Sequence, residues 1–117
     1  MQIAERETGS VTVLDLSGKI TLGEGDNQLK DKLNSLLHQG KKNVLFNLAE
    51  VNYVDSAGLG ALVMAYTTVT REGGSLKLLN VTRKLQDLLS ITKLLTVFET
   101  FDSESEAVRS FSASAKV

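Results

Sequence analysis

From residue 43 to residue 48 the chain is apolar at Val44, Leu45, Phe46 and Leu48, a near-continuous run that suits a strand covered on both faces. Farther on, Leu59, Leu62, Val63, Tyr66 and Val69 recur at helical spacing, and the pattern stops at Gly73-Gly74, a natural helix end. The junction between the two is Val51-Asn52-Tyr53-Val54-Asp55-Ser56-Ala57-Gly58-Leu59-Gly60. The same alternation of strand and helix runs through the rest of the chain. The opening residues predict a short edge strand, Gly9-Ser10 a turn, and 11–17 a better strand, so that a hairpin begins the fold. Gly18 is expected to end that strand, with a glycine-bearing connection running on to Gly25. Leu29, Leu33, Leu36 and Leu37 mark one stripe of a helix over 26–39, closed by Gly40. Residues 75–79 read as a strand and Leu85, Leu88 and Leu89 as the apolar side of a short helix. A last apolar run at 96–101 adds a short strand, and Ser103-Glu104-Ser105-Glu106 has capping-box form ahead of a final helix with Ala107, Val108 and Phe111.

This order predicts an α/β fold: a mixed, largely parallel sheet of four to five strands with an N-terminal hairpin, flanked by about four helices. In such sheets the loops at the carboxyl ends of parallel strands form the ligand-facing edge. Here they would be 21–25, Asp55-Ser56 and 80–82, with Ser56 on the middle one.

Composition narrows the function classes. At 117 residues the chain is one domain, long enough for a normal core. Thirteen basic residues against 14 acidic ones, with 5% aromatics and no basic cluster interleaved with aromatics, argue against nucleic acid as a partner. The absence of cysteine removes disulfides and thiolate metal sites, and the single histidine, His38, stands near a helix end where a solvated role is the commoner one. Neither a metal nor a cofactor is expected. The start lacks the basic and apolar regions of a signal peptide, and no run approaches the ~20 apolar residues of a membrane span, so the expected location is the cytoplasm, with no membrane partner.

Candidate chemistry centres on Ser56, at the start of the second main helix. A serine there can cap the free first-turn amides, which is the bland reading, or it can carry or meet an anion at the positive end of the helix dipole. Gly58 and Gly60 each cost about 1 kcal/mol of helix propensity against Ala, so either packing or a visiting molecule has to require them. A serine hydrolase is disfavoured, because Val54 stands where a Gly-x-Ser-x-Gly elbow has its first glycine and no base is placed to partner Ser56; no enzyme is expected. A nucleotide- or anion-binding domain is an alternative, against which Gly23-Glu24-Gly25 and Gly58-Leu59-Gly60 fail the Gly-x-Gly-x-x-Gly pattern at Gln28 and Val63.

The stretch Val54-Asp55-Ser56-Ala57-Gly58-Leu59-Gly60-Ala61-Leu62 resembles the signature of the STAS-domain anti-sigma-factor antagonists, in which Asp-Ser-(Ser, Thr or Ala)-Gly-Leu-Gly opens the second main helix. The hairpin, the Gly18-Lys19-Ile20 turn, the Asn47-Leu48 strand end and the Gly73-Gly74 stop have counterparts at similar spacing, so the resemblance covers nearly the whole chain. It implies a single STAS-like domain over 1–112; beyond Ser112, 113–117 is expected to fray as a tail. It also implies a phosphorylation-switched protein-binding module: an antagonist that binds an anti-sigma factor, itself a serine kinase, and lets go once phosphorylated, with a serine phosphatase restoring it. Carried over by position, the phosphoacceptor is Ser56, with Asp55, Ala57, Gly58 and Leu59 at the partner surface. Thr21 is there too, standing where many relatives have an aspartate. That departure leaves a second reading, a STAS module in another bacterial signalling complex.

Overall fold

The computed structural model describes residues 1–115, apart from the side chains of 24–26 and 113–115. Five strands, β1 (Gln2–Thr8), β2 (Val11–Ile20), β3 (Asn43–Val54), β4 (Ser75–Leu79) and β5 (Thr100–Phe101), form one sheet in sequential order. β1 and β2 are an antiparallel hairpin, and every later pair is parallel. The helices are α1 (Glu24–His38), α2 (Ser56–Arg71), α3 (Arg83–Ile91) and α4 (Glu104–Ala115), with a 3-10 turn at Leu94–Thr96. This is the mixed, mostly parallel sheet that the hydrophobic pattern predicts.

Because each parallel strand is laid down beside the one before it, right-handed crossovers put their helices on one face. Leu29, Leu33 and Leu36 of α1, Leu59, Leu62, Ala65 and Val69 of α2, and Leu85 and Leu89 of α3 share a core with Leu14, Leu16, Val44, Phe46 and Leu78. The other face of the sheet is covered by α4, whose Ala107 and Phe111 lie on Val11, Val13, Leu45 and Leu79. Both faces of the central strands are thus buried, which is why 43–48 is nearly continuous in apolar residues. Lys77, 3% exposed, sits within the second layer with its ammonium over the Phe111 ring and hydrogen-bonded to Ser110 at 2.9 Å.

Two strands run past their expected ends. β2 continues through Gly18 to Ile20, and β3 goes on from Leu48 to Val54. Two register shifts explain why the pattern was lost: Asp15 faces Asn47 but Ser17 faces Glu50, and Gly18 faces Val51 but Lys19 faces Tyr53. A bulge adds a residue to one strand and so breaks the period-two alternation. Gly18, with φ of 91°, supplies the left-handed backbone beside the second shift rather than stopping the strand. Of the tail expected at 113–117, the first three residues continue α4 and the last two lie outside the described residues.

A polar cluster ties the edge strand to the second face. The guanidinium of Arg6 donates to Asp15 at 2.6 Å and 3.1 Å and also reaches both oxygens of Glu104 in the first turn of α4. The hydrogen bonds from Arg6 hold the carboxyls of Asp15 and Glu104 below their ordinary values. A depressed carboxyl stabilises the fold above its unfolded pKa, and the contribution is lost as pH falls through the folded value. Since Arg6 is 40% exposed, solvent screening limits the cluster to about 1 kcal/mol. Arg6→Gln is therefore expected to lose about 1 kcal/mol in urea unfolding at pH 7, and the gap from wild type should close at pH values below the ordinary carboxyl values of 3.8 and 4.5. A gap that persisted undiminished in acid would mean that Arg6 acts through packing instead.

Candidate functional site

The end of β3, the start of α2 and the turn after β2 build one shelf. Asp55, in extended backbone, is the N-cap of α2: its Oδ1 accepts from the Gly58 N–H at 2.7 Å and its Oδ2 from the Leu22 N–H at 3.1 Å. Its own N–H donates to the Ile20 carbonyl at 3.3 Å. These backbone donors, Gly58 first and Leu22 next, hold the Asp55 carboxyl below its ordinary value, so it is an anion with both oxygens engaged. The cap is thus Asp55, and the expectation that Ser56 caps the helix is corrected. Ser56 is the first helical residue, exposed, and its hydroxyl has no hydrogen-bond partner among the described residues.

The other expected site residues divide. Thr21 is half-buried in the turn after β2 and Ala57 half-buried on α2. Gly58 is buried, and a Cβ there would run into the carbonyl oxygen and carbon of Ile20, so packing of helix on strand end is what requires this glycine. Leu59 belongs to the main core. Gly60 differs from Gly58, since a Cβ on it would meet nothing within 4 Å. It lines a groove of about 370 Å³ between α1 and α2 together with Ala57, Ala61, Met64, Asn27 and Lys30. Of the three loops expected to meet, the first two are joined by the Asp55 hydrogen bonds. The third begins where β4 ends, opposite Asn47, and its Thr82 shares a separate groove with Val51 to Val54.

Leu22 was not singled out from the sequence, yet it is 75% exposed and its backbone is fastened to the cap. The signal available was an apolar residue one step beyond the alternation Leu16, Gly18, Ile20, in a turn next to Gly23. His38 is the last residue of α1, whose first turn lies by the shelf, so it stands roughly 20 Å away along the helix, out of reach as a base for Ser56. No cluster of His, Asp or Glu suited to a metal ion occurs among the described residues, and no helix among them is long and apolar enough to cross a membrane.

Residues 2–107 match the STAS domain family. The chain belongs to that family. Among curated relatives of this STAS chain, the anti-sigma-B factor antagonist of Bacillus subtilis is 39% identical over 71 residues, 61% of this chain and 64% of the relative, so the match spans under two thirds of that protein's length. A crystal structure of a candidate anti-sigma factor antagonist from Thermotoga maritima superposes with a TM-score of 0.85 at 22% identity over 93% of each chain. The Bacillus cell fate determinant SpoIIAA in its phosphorylated form superposes with a TM-score of 0.73 at 19% identity, over 92% of this chain and 97% of the other. The two superpositions, below 25% identity, speak for the STAS fold alone.

The two glycines of the motif should separate by experiment. Gly58→Ala is expected to cost about 1–3 kcal/mol in urea unfolding, as overpacking against a backbone does. Gly60→Ala should be neutral or stabilising by up to about 1 kcal/mol, because it gains helix propensity in open space. Equal midpoints for Gly58→Ala and wild type would show that the strand end yields and that packing does not explain the glycine.

Proposed function

We propose that this chain is a cytoplasmic, non-enzymatic anti-sigma factor antagonist switched at Ser56: unmodified, it binds an anti-sigma factor that is also a serine kinase, and phosphorylated, it releases it. The observation that carries the reading is the exposed Ser56 hydroxyl without a partner, one residue after a cap already satisfied by Asp55. A hydroxyl with no structural duty can be modified without undoing the helix start. The names of the curated relatives support the antagonist role, and a neighbour of the same fold exists in a phosphorylated form.

In the modification, Ser56 Oγ bonds to the γ-phosphorus of ATP while the bond to the ADP oxygen breaks, and the hydroxyl proton passes to a base. Asp55 is a poor base for it, since both its oxygens accept backbone N–H groups and its pKa is depressed. The kinase has to supply that base. A serine phosphatase would remove the group by hydrolysis. Asp55 and Ala57, next to Ser56 in the chain, and Thr21, between the Ile20 and Leu22 that hydrogen-bond Asp55, are assigned to the partner surface; Gly58 and Leu59, both buried, support it from beneath. The open groove between α1 and α2, which begins at Ala57, is compatible with a protein surface. A free anion at the same helix start would meet the Asp55 carboxylate on the Gly58 N–H, which weighs against the anion-binding alternative.

The cognate kinase with ATP is expected to add one phosphate, on Ser56, and none to Ser56→Ala, which should still bind the partner and stay bound when ATP is added. Phosphoserine carries about −1.5 to −2 charges, and at an exposed helix start the gain from the dipole, about 0.3–1 kcal/mol, is opposed by Asp55, so the folding free energy should change by less than about 1 kcal/mol. Desolvating that charge in the complex, on the order of 3–5 kcal/mol, would weaken binding about 100- to 1,000-fold or more. Peptide mass spectrometry, melting curves and binding titrations of both forms test this. Phosphate found on Ser10, Ser75 or Thr21, or equal affinity of the two forms, would overturn the reading.

A further inference from the structure

The shelf owes its geometry to the register in which β2 meets the far half of β3. Asp15 faces Asn47 and Ile20 faces Val54, so β3 holds two more residues than β2 over that stretch, one at each bulge. The register has direct consequences at the tip. Asp55 N–H reaches the Ile20 carbonyl, and the Leu22 N–H reaches the Asp55 carboxylate. Strand residues advance about 3.3 Å each, so a slip of one position would break both hydrogen bonds and turn the side chains of the tip to opposite faces. Val51, buried in the main core, would go with them.

At the first bulge stands Asn47. Its Oδ1 accepts from the Ala49 N–H at 3.2 Å, on the strand's extra residue, and from the side-chain amide of Asn80 at 3.1 Å. Its Nδ2 donates to Asp15 Oδ1 at 2.8 Å, on the carboxylate that Arg6 also holds. Asn80 in turn has φ of 55° and donates its backbone N–H to the Phe101 carbonyl at 2.8 Å, so the amide that braces Asn47 is itself fixed. The asparagine is gripped from β2 and from the end of β4 while it holds the bulge. The second bulge has a different support, the left-handed backbone of Gly18.

We propose that Asn47 is a positioning residue for Ser56: by holding the first bulge of β3 it sets the register in which the end of β2 meets Asp55, and thereby the place of the hydroxyl. The functional part of this rests on the reading of Ser56 as the switched residue. The geometric part does not, and the test reads only the geometry. Asn47 touches neither Asp55 nor Leu22 through any of its hydrogen bonds, so a residue that merely added stability would leave the native environment of the Asp55 carboxyl unchanged.

The experiment is a carbon-detected NMR titration of the Asp55 carboxyl, with amide hydrogen exchange at Leu22, on the folded full-length protein. In Asn47→Leu, which removes the acceptor at the bulge, the Asp55 pKa is expected to rise toward the ordinary carboxyl value and Leu22 to lose protection. The double variant Asn47→Asp with Asp15→Asn exchanges donor and acceptor between the two positions and keeps an oxygen for Ala49 and Asn80, while leaving Arg6 one oxygen acceptor at position 15 in place of two, and it should move both readouts back toward wild type. An unchanged Asp55 in Asn47→Leu, or a double variant displaced as far as the single one, would overturn the proposal. Should Asn47→Leu fail to fold, Asn47→Ser carries the same readouts, and failure of both to fold would make Asn47 a residue of the fold rather than of the shelf. Absence of phosphate at Ser56 would refute the function without touching these results.

Discussion

The Asp55 carboxylate joins two backbone N–H groups that belong to different parts of the chain, Gly58 in the first turn of α2 and Leu22 in the turn after β2. Everything at the shelf depends on that bridge. It starts the helix, holds the turn, and works only because α2 can come down onto the Ile20 carbonyl, which the missing side chain of Gly58 permits. Asp55 and Gly58 are therefore one device: the glycine lets the helix approach and the carboxylate fixes it there. The side chains of Ser56 and Ala57, between them, take no part in the device: Ser56 is exposed and Ala57 lines the groove. That division explains how one short motif carries both architecture and a chemically free hydroxyl.

Much of this was legible from the residues. Hydrophobic period alone gave the order of elements, the hairpin and the doubly covered central strands, because each central strand buries both faces under helices. The extended ends of β2 and β3 were not legible, since two bulges erase the alternation and leave Glu50 and Asn52, with Ala49, looking like a polar connection. The identity of the cap was ambiguous for a related reason: Asp and Ser are adjacent and both are good caps, and only the backbone angles of residue 55 decide between them. Gly58 and Gly60 look alike in sequence and differ in what lies opposite them, a strand end for one and open space for the other.

The bulges matter because the far half of β3 is supported unevenly. β4 pairs with β3 only as far as Asn47, whereas β2 accompanies it to Val54. Beyond Asn47 the strand is braced on one edge, and the polar group of Asp15, Asn47 and Asn80 stands where that change occurs. A run of apolar side chains could bury the same area, but it has no directionality with which to hold an extra residue in one strand. Hydrogen bonds to named backbone atoms do. The network on the second face and the shelf at the tip are thus successive parts of one strand, linked by register rather than by touching side chains.

On the reading of Ser56 as the switch, the same arrangement bears on how strong the signal can be. Across Ile20, Thr21 and Leu22 and from Asp55 to Gly60, the sole ionisable side chain is Asp55, and its charge is already directed at two N–H groups. Thr21 is neutral, so among these residues Asp55 is the one carboxylate at the shelf, with Lys30 lining the adjoining groove. Electrostatic effects on binding follow differences between states, and a phosphate placed among neutral groups alters the local potential by a larger fraction than one added to an acidic patch. A neutral threonine at that turn therefore favours a wide contrast between the two forms over strong steering of the unmodified one, because steering draws on fixed charges and this stretch of the shelf carries a single one, at Asp55.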